Sequence, residues 1–328
     1  MRIFNPLRVV GVTAAIALAA GCSGVASSTV EMPPTHTQSG SHHSVRHYAS
    51  YFACPATGSI EYVSDFLNSV IDVYAGKFAS QAPCGRITTG LNHPAGLFVE
   101  TRSHDLYVAN TNAFNILVYH RGTTAPYNVY ADPGTQYPLD VVVDIRDVVV
   151  ASNRSNVAQT EAGSLSTWIS GPHGGSFVGN YAMTNDSGGG FVTARRNGIL
   201  YYDDFDSTSG VGTIWRVSCP AGTCGVETEV AAAKGVVAGL TFDEDDDLLA
   251  NDLLNISADT FELPNPSPST FPIAGGPFGM AIDSKGRHWF TTDVVHNNAA
   301  EYAYPSGTLV GTVFGNISGS ATGIAVDP

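Results

Sequence analysis

Charged side chains are scarce in this chain of 328 residues. Only 13% of the residues are charged, about half of the roughly 25% that is usual for globular proteins. Basic residues are the scarcer kind, because 15 Lys and Arg stand against 29 Asp and Glu, giving a net charge of −14. A surface of that sign repels phosphate backbones, so no nucleic-acid partner is expected.

Long apolar runs are also lacking beyond the N-terminus, and an integral membrane protein is therefore not expected, since a spanning helix needs roughly 20 apolar residues. Hydrophobic residues nevertheless make up 43% of the chain, together with 35 Gly and 18 Pro. Such a composition supports a large core with many turns. The length allows two ordinary domains or one large all-β domain.

The N-terminus has the layout of a secretory signal, with Arg2 and Arg8 before the apolar residues 9–20. It ends in the letters LAAGC at residues 18–22, which resemble a bacterial lipobox. We predict a lipoprotein signal peptide over residues 1–21 and lipidation of Cys22; an ordinary signal peptide that happens to contain a cysteine is the alternative. Because Ser23 follows the cysteine, the resemblance to Gram-negative lipoproteins implies sorting to the outer membrane, facing the periplasm or the cell surface, with lipid as the only membrane attachment.

Residues 22–47 are rich in Ser, Thr, Pro and His and lack an apolar period, so we expect a flexible tether there and the folded body over 48–328. The body contains an even number of cysteines, which allows three pairings in an oxidising compartment. Residues 219–224 have the form of a small loop closed by a bridge between Cys219 and Cys224, which leaves Cys54 to pair with Cys84.

The body contains an internal repeat in which a short apolar strand pattern returns six times. The third positions of the six copies, 40 to 50 residues apart, are Gly96, Asp140, Gly190, Gly239, Gly279 and Gly323. A second apolar run ending in Asp or Asn follows each of the first five copies, and two further runs follow per period. Four short strands in every 40 to 50 residues are typical of a β-propeller blade.

The distribution of strands at the two ends of the body predicts how the ring closes. The last copy, at residues 321–327, supplies a first strand without partners, whereas residues 61–65 and 70–74 supply a second and a third strand without a first. Pairing the two ends removes the open edge that a linear stack would expose. We therefore predict an all-β, six-bladed β-propeller with four-stranded blades, closed by the C-terminal strand on the N-terminal blade.

The run LYVANTNAFNILVY at residues 106–119 resembles the NHL-type repeat, and residues 61–74 are a second match. The other blades depart from the pattern, because the usual Arg before the third strand is missing and the loop after Asp204 is expanded. The resemblance implies a six-bladed fold, a class that includes binding scaffolds, lactonase-type metal hydrolases, and zinc or magnesium lyases. Fold alone does not choose among these.

Asp or Asn residues that end the second strands are candidate ligand-facing residues on the face that carries the turns between second and third strands. These residues are Asp65, Asn110, Asn153, Asp204, Asp252 and Asp293. A ring of oxygen ligands could hold Ca²⁺ or another divalent metal. The favoured alternative is that short Asx side chains bond the backbone of the turn that follows.

His93 is a further candidate on the same face, where His296 is its only histidine companion, whereas a zinc site needs three converging protein ligands. No cofactor and no catalytic residue is predicted, since G-x-S-x-G and phosphate-loop motifs are absent. The expected function is a monomeric binding or scaffold module at the cell envelope, with an envelope protein, peptide or glycan as ligand. The alternative is a metal-dependent lactonase-type hydrolase or lyase with its site on the propeller axis.

Replacing Cys22 with Ala should block lipid attachment and release the protein in precursor or soluble form. Membrane fractionation of cells that make the wild type and Cys22→Ala measures this. A variant that stays in the membrane fraction to the same extent would contradict the lipid anchor.

Chelation should leave the melting temperature almost unchanged if the protein is a metal-free binding module. A metal bound only to the native state adds about 2.7 kcal/mol at a hundredfold excess over its Kd. Thermal melts with and without EDTA measure this. A fall of several degrees that Ca²⁺, Mg²⁺ or Zn²⁺ reverses would favour the metal-dependent enzyme.

Overall fold

The computed structural model describes most of the chain from residue 49 onward. The described ranges are 49–76, 82–156, 163–183, 190–194, 197–206, 211–232, 235–253, 255–261, 269–273, 275–313 and 317–328. The signal peptide, Cys22 and the tether therefore lie outside the described residues. No helix within the described ranges is long and apolar enough to cross a membrane.

Six antiparallel sheets form the six blades of a β-propeller, which confirms the predicted fold. Blades 2 to 6 each contain four strands that follow one another in the chain. Blade 2 consists of β5 (Pro94–Glu100), β6 (Asp105–Asn110), β7 (Asn115–Tyr119) and β8 (Asn128–Ala131). Blade 3 consists of β9 (Gln136–Val143), β10 (Val148–Asn156), β11 (Ser164–Ile169) and β12 (Ser176–Ala182). Blade 4 consists of β13 (Val192–Ala194), β14 (Ile199–Asp206), β15 (Val211–Ser218) and β16 (Thr228–Ala232).

The remaining full blades repeat this order, with the first strand innermost. Blade 5 consists of β17 (Val237–Phe242), β18 (Leu248–Asp252), β19 (Ser257–Phe261) and β20 (Ser269–Pro272). Blade 6 consists of β21 (Pro277–Ile282), β22 (His288–Asp293), β23 (Asn298–Ala303) and β24 (Thr308–Val313). Three single-turn 3₁₀ helices lie in loops, η1 (Thr111–Ala113), η2 (Pro172–Gly174) and η3 (Pro220–Gly222).

Blade 1 joins the two ends of the chain. Its strands are β1 (Tyr51–Phe52), β2 (Ile60–Asp65), β3 (Val70–Ala75), β4 (Gly85–Ile87) and β25 (Ala321–Asp327). The innermost strand is β25, which pairs antiparallel with β2 so that Ile60 lies opposite Asp327 and Val63 opposite Ile324. The predicted closure is therefore confirmed.

A fifth strand in blade 1 was not expected from the four-strand repeat. The two-residue strand β1 pairs with the outer edge of β4. The backbone N–H of Ala53 donates to the carbonyl of Cys84 at 2.9 Å, and Cys54 forms a disulfide with Cys84. These bonds hold the segment before β2 on an edge that would otherwise be open.

Both expected disulfides are present, Cys54–Cys84 and Cys219–Cys224. The first joins the segment after β1 to the segment before β4, and the second closes the loop that contains η3. Disulfides persist in oxidising compartments, so both are consistent with an exported protein.

The core lies between adjacent blades, because both faces of each sheet are covered. Every residue of β2 and β22 except His288 is buried. Aromatic rings fill the space between blades 2 and 3, where Tyr130 of β8 packs 6.1 Å from Trp168 of β11. Trp168 is only 2% exposed. Burial of such rings contributes much of the energy that holds neighbouring blades together.

Polar side chains near the ends of the second strands hold the inner strands in place. Ser64 accepts a hydrogen bond from the N–H of Gly323 at 2.6 Å and donates to the carbonyl of Ala95 in the next blade at 2.7 Å. Thr292 does the same between blades 6 and 1, accepting from Gly279 at 2.8 Å and donating to Thr322 at 2.9 Å.

Glycine is required where these inner strands approach one another. A Cβ atom on Gly323 would lie 2.1 Å from the carbonyl oxygen of Ala95, and one on Gly279 would lie 2.4 Å from that of Thr322. Since real Cβ atoms do not approach that closely, any larger residue would push adjacent blades apart. The repeated glycine is therefore a consequence of blade packing around the axis.

Ending the chain after Ser320 should prevent formation of a stable closed ring. The deletion removes β25, including the buried Ile324, whose burial alone contributes about 1.5–3 kcal/mol, and it exposes the inner edge of β2. We expect aggregation or loss of a cooperative thermal transition. Removal of Pro328 alone is the matched control and should melt like the wild type. A Ser320 truncation that melts cooperatively at the wild-type temperature would contradict the closure.

Candidate functional site

The face that carries the turns between second and third strands, here called the upper face, holds most of the candidate residues. Asp65 lies at its edge, at the end of β2. Its carboxylate accepts the N–H groups of Asn68 at 3.2 Å, Gly319 at 3.1 Å and Ser320 at 3.2 Å. One side chain thus fixes both the turn after β2 and the loop that leads into β25.

Asn110 has the same position at the end of β6. Its Oδ1 accepts the N–H of Asn92 at 2.6 Å, and its Nδ2 donates to the carbonyl of Gly90 at 3.0 Å. Nδ2 also donates to Oδ1 of Asn115 at 3.0 Å. The amide therefore ties the loop before β5 to the turn after β6.

Asp293 and Asp252 bond their own turns in a similar way. Asp293 Oδ1 accepts the N–H groups of Gly276 and Val295, both at 2.9 Å, and its Oδ2 lies 2.6 Å from Nδ1 of His296. Asp252 Oδ1 accepts the N–H of Asn255 at 3.0 Å.

The two remaining members of the predicted ring differ. Asn153 points into the sheet of blade 3, where Nδ2 donates to Ser164 Oγ at 3.2 Å and to Ser166 Oγ at 2.5 Å. Asp204 belongs to β14, and its side chain lies outside the described part of the structure. In the part of the chain that the structure describes, no three His, Cys, Asp or Glu side chains are arranged to hold a metal ion. A ligand-binding role for the ring stays a prediction.

His93 is held in a left-handed backbone conformation with φ 56°. Its N–H donates to Ser69 Oγ at 3.0 Å, and its ring contacts that of Phe66 edge to face with centroids 4.9 Å apart. Burial lowers the pKa of the His93 imidazole, so the neutral ring is favoured at pH 7. A neutral, half-buried ring presents a flat surface without charge.

A second aromatic pair lies one blade further on. Phe114, also left-handed with φ 58°, packs edge to face on Tyr137 with centroids 4.9 Å apart. Bulky residues rarely adopt this conformation, and such outliers concentrate at functional sites. Leu67 is 59% exposed and Val295 is 43% exposed on the neighbouring upper turns. We call the set the upper ledge, and its members are Phe66, Leu67, His93, Phe114, Tyr137 and Val295.

A second candidate site is a cavity of about 170 Å³ on the axis, lined by residues from or beside the inner strands of all six blades. Among the described lining residues Asp140 of β9 is the one ionisable side chain. Its Oδ2 accepts the N–H of Val192 in the next blade at 3.1 Å. Burial raises the pKa of the Asp140 carboxyl to about 7.

Asp140 was not among the site residues predicted from the sequence, although the repeat contained a signal. It occupies the position at which the five other copies have glycine. Its carboxylate lies over Gly96, since a Cβ atom built there would be 2.0 Å from Oδ1. The second strand of blade 2 also lacks a hydroxyl where blade 1 has Ser64, because Ala109 occupies that position. The replacement of glycine by Asp140 in blade 3 therefore accompanies the replacement of a hydroxyl residue by Ala109 in blade 2.

Comparisons with known proteins support the fold and no particular family. No protein-family model matches the chain, and no curated protein matches it. A chain in the crystal structure of a nidogen/laminin complex is similar at a TM-score of 0.68 and 13% identity, over 83% of this chain and 99% of that one. Hydrazine synthase of Kuenenia stuttgartiensis is similar at 0.56 and 11% identity, over 77% and 82% of the two chains.

The PQQ-bound aldose sugar dehydrogenase of Streptomyces coelicolor has a TM-score of 0.54 and 13% identity, over 78% of this chain and 88% of that one. These proteins have different activities, and at such low identity the similarity shows a shared propeller fold alone.

Proposed function

We propose that this protein is an exported, lipid-anchored β-propeller that binds a protein partner at the cell envelope through the upper ledge. The observation that carries the proposal is the ledge itself, a row of exposed and half-exposed apolar and aromatic side chains on four consecutive blades. Aromatic side chains are enriched in protein interfaces and supply many of their strongest contacts.

Hydrogen bonds hold three of the loops that carry the ledge in place. Asp65 fixes the turn that carries Phe66 and Leu67, and Asp293 fixes the turn that carries Val295. The loop before His93 is bonded to Asn110. A surface that is already ordered loses little conformational entropy on binding, which favours affinity.

The opposite face has a different character. Its polar groups bond one another across blades, as Asp327 does with His104 and Arg121, both at 2.6 Å. Arg102 and Asp147 form another ion pair there. Ile145 is 55% exposed and Tyr127 is 48% exposed on this face. Tyr127 stacks on His120, but its hydroxyl donates to Asp105 at 2.6 Å and Nδ1 of His120 lies 2.8 Å from the same carboxylate, so this aromatic pair is part of the polar network. A largely apolar contact with a partner is therefore better supported on the upper face.

Export and anchoring rest on the N-terminal signal pattern, and the two disulfides support export. The similarity to a chain from a nidogen/laminin complex supports protein binding as a use of this fold. A peptide segment of a larger partner has the same chemistry and falls under the same proposal.

Site-directed photocrosslinking in the cells that make the protein tests the ledge. A photoreactive residue in place of Leu67 or Val295 should give the same protein adduct, whereas one in place of the exposed Ile145 on the opposite face should give none of it. A second substitution, Phe114→Asn, is combined with the photoreactive residue at Leu67 or Val295. It removes an aromatic ring and introduces a residue that tolerates the left-handed backbone. That substitution should lower the adduct yield about tenfold, as expected for an interface anchor contributing roughly 1.4 kcal/mol.

Ile145→Ser is the matched control and should leave the adduct unchanged. Equal adducts from all three photoreactive positions would contradict the proposal, and so would an adduct that is indifferent to Phe114→Asn. A glycan ligand would leave the ledge positions without a protein adduct, which also overturns protein binding as the function.

A further inference from the structure

The axial cavity combines an apolar wall with a single carboxylate. Side chains or backbone of the inner strands form the wall, which includes Leu97, Val142, Leu240, Met280, Ile324 and Val326. The polar side chains among the described lining residues are Asp140 and the three threonines Thr101, Thr193 and Thr241. The cavity is separate from the upper ledge, so a binding role for it is independent of the proposed function.

The inner strands also bring backbone groups to the axis. Each inner strand pairs with a neighbour on one side only, so its other edge faces the axis. Such an edge carries N–H and C=O groups that no strand partner satisfies. The N–H of Val192 is one of them, and it finds its acceptor in Asp140. Carbonyl groups on the same edges are acceptors, and some of them are bonded by side chains of the second strands, as Ala95 is by Ser64 and Thr322 is by Thr292.

We propose that the axial cavity binds an alkylammonium group, with the ammonium on Asp140 and the alkyl chain against the apolar wall. An ammonium has three N–H donors and no acceptor, which matches a carboxylate and backbone carbonyls. A cavity of similar size, about 150 Å³, is sufficient for a six-carbon ring. The volume of about 170 Å³ therefore accommodates a four-carbon primary amine.

Charge balance favours a single positive charge. One carboxylate neutralises one ammonium, whereas a divalent cation would leave one positive charge uncompensated beside the single carboxylate. A dedicated calcium site supplies six to eight oxygen ligands, usually with several carboxylates. The cavity presents one carboxylate among its described residues, so the structure fits a monovalent organic cation better.

Asp140 also has a structural alternative. Its carboxylate could serve only to bond Val192 N–H and to fill the space over Gly96. An amide has nearly the same shape and keeps one acceptor oxygen for the Val192 N–H, so Asp140→Asn retains most of that role and removes the charge. Asp140→Gly instead restores the glycine found in the other five copies. The two variants therefore separate ligand binding from blade packing.

Among the described residues, the groups bonded to or packed directly on Asp140 are uncharged. Three strands pack against Asp140. They place Gly96 of β5, Ser152 of β10 and Val192 of β13 next to it. In the next blade, the carboxylate of Asp203 accepts the N–H of Phe191, a residue that lines the cavity. Burial is the largest cause of the raised pKa of Asp140, about 7, and backbone N–H bonds oppose it. The carboxylate is therefore mostly ionised at pH 8.5 and mostly protonated at pH 5.5.

Isothermal titration calorimetry with n-butylammonium chloride tests the site. At pH 8.5 the wild type should bind one equivalent, and n-butanol, which has the same chain without the charge, should not bind. At pH 5.5 the Kd should rise about thirtyfold, because only about 3% of a group with pKa 7 is ionised there and the apparent affinity scales with that fraction. Ionic strength is held constant with NaCl.

Asp140→Asn should abolish the binding while keeping the melting temperature close to wild type. Asp245→Asn is the matched control, because Asp245 is exposed and its loss changes the net charge by the same amount. A second arm uses Nα-acetyl-lysine N-methylamide. Binding of both amines indicates that a lysine side chain of a partner can enter, and binding of butylammonium alone indicates a free small amine.

Absence of binding by both amines in the folded wild type would overturn the proposal. Binding that persists in Asp140→Asn, or that is lost equally in Asp245→Asn, would also overturn the proposal. Either result would attribute the measured heat of binding to carboxylates on the protein surface. If Asp140→Asn does not fold, Asp140→Gly and the pH dependence of the wild type decide the question in the same way.

Discussion

The pairing of β25 with β2 is the contact on which the rest of the molecule depends. It places strand β25 inside the first blade, so every blade has an inner strand. Each inner strand then packs between the inner strands of the two adjacent blades. Ser64 then bonds Gly323 in its own blade and Ala95 in the next. Asp327, at the end of β25, binds His104 and Arg121 of blade 2. Closure thus joins blades 6, 1 and 2.

Much of this architecture could be predicted because each blade carries its own signature. A small residue in the inner strand and an Asx residue at the end of the second strand recur at intervals that a blade requires. The glycine follows from the close approach of inner strands, as the carbonyl of Thr322 near Gly279 shows. The four cysteines paired as expected, since export makes an even set of cysteines a disulfide framework.

The parts that could not be predicted are contacts between blades. The pair of Phe66 with His93 and the pair of Phe114 with Tyr137 each join side chains from neighbouring blades. A repeat pattern describes one blade and carries no information about its neighbour. Strand β1 was missed for a similar reason, because its partner β4 lies more than thirty positions along the chain.

The two candidate sites use the same scaffold in different ways. The upper ledge is a row of apolar and aromatic side chains on turns that buried Asx side chains such as Asp65 and Asp293 hold in place, and the proposed function assigns it to a protein partner. The axial cavity is small, and its chemistry comes from Asp140, which interrupts the ring of glycines. Both depend on inner strands held at fixed positions, and therefore on the closed ring.

Hydrogen–deuterium exchange of the native protein, read by mass spectrometry, measures that closure most directly. If β25 is an integral strand of blade 1, peptides over residues 321–327 should exchange as slowly as those over β2, because both open only when the ring opens as a whole. Exchange of residues 321–327 that is much faster than that of β2 and the other inner strands would show that the ring is not closed by this strand.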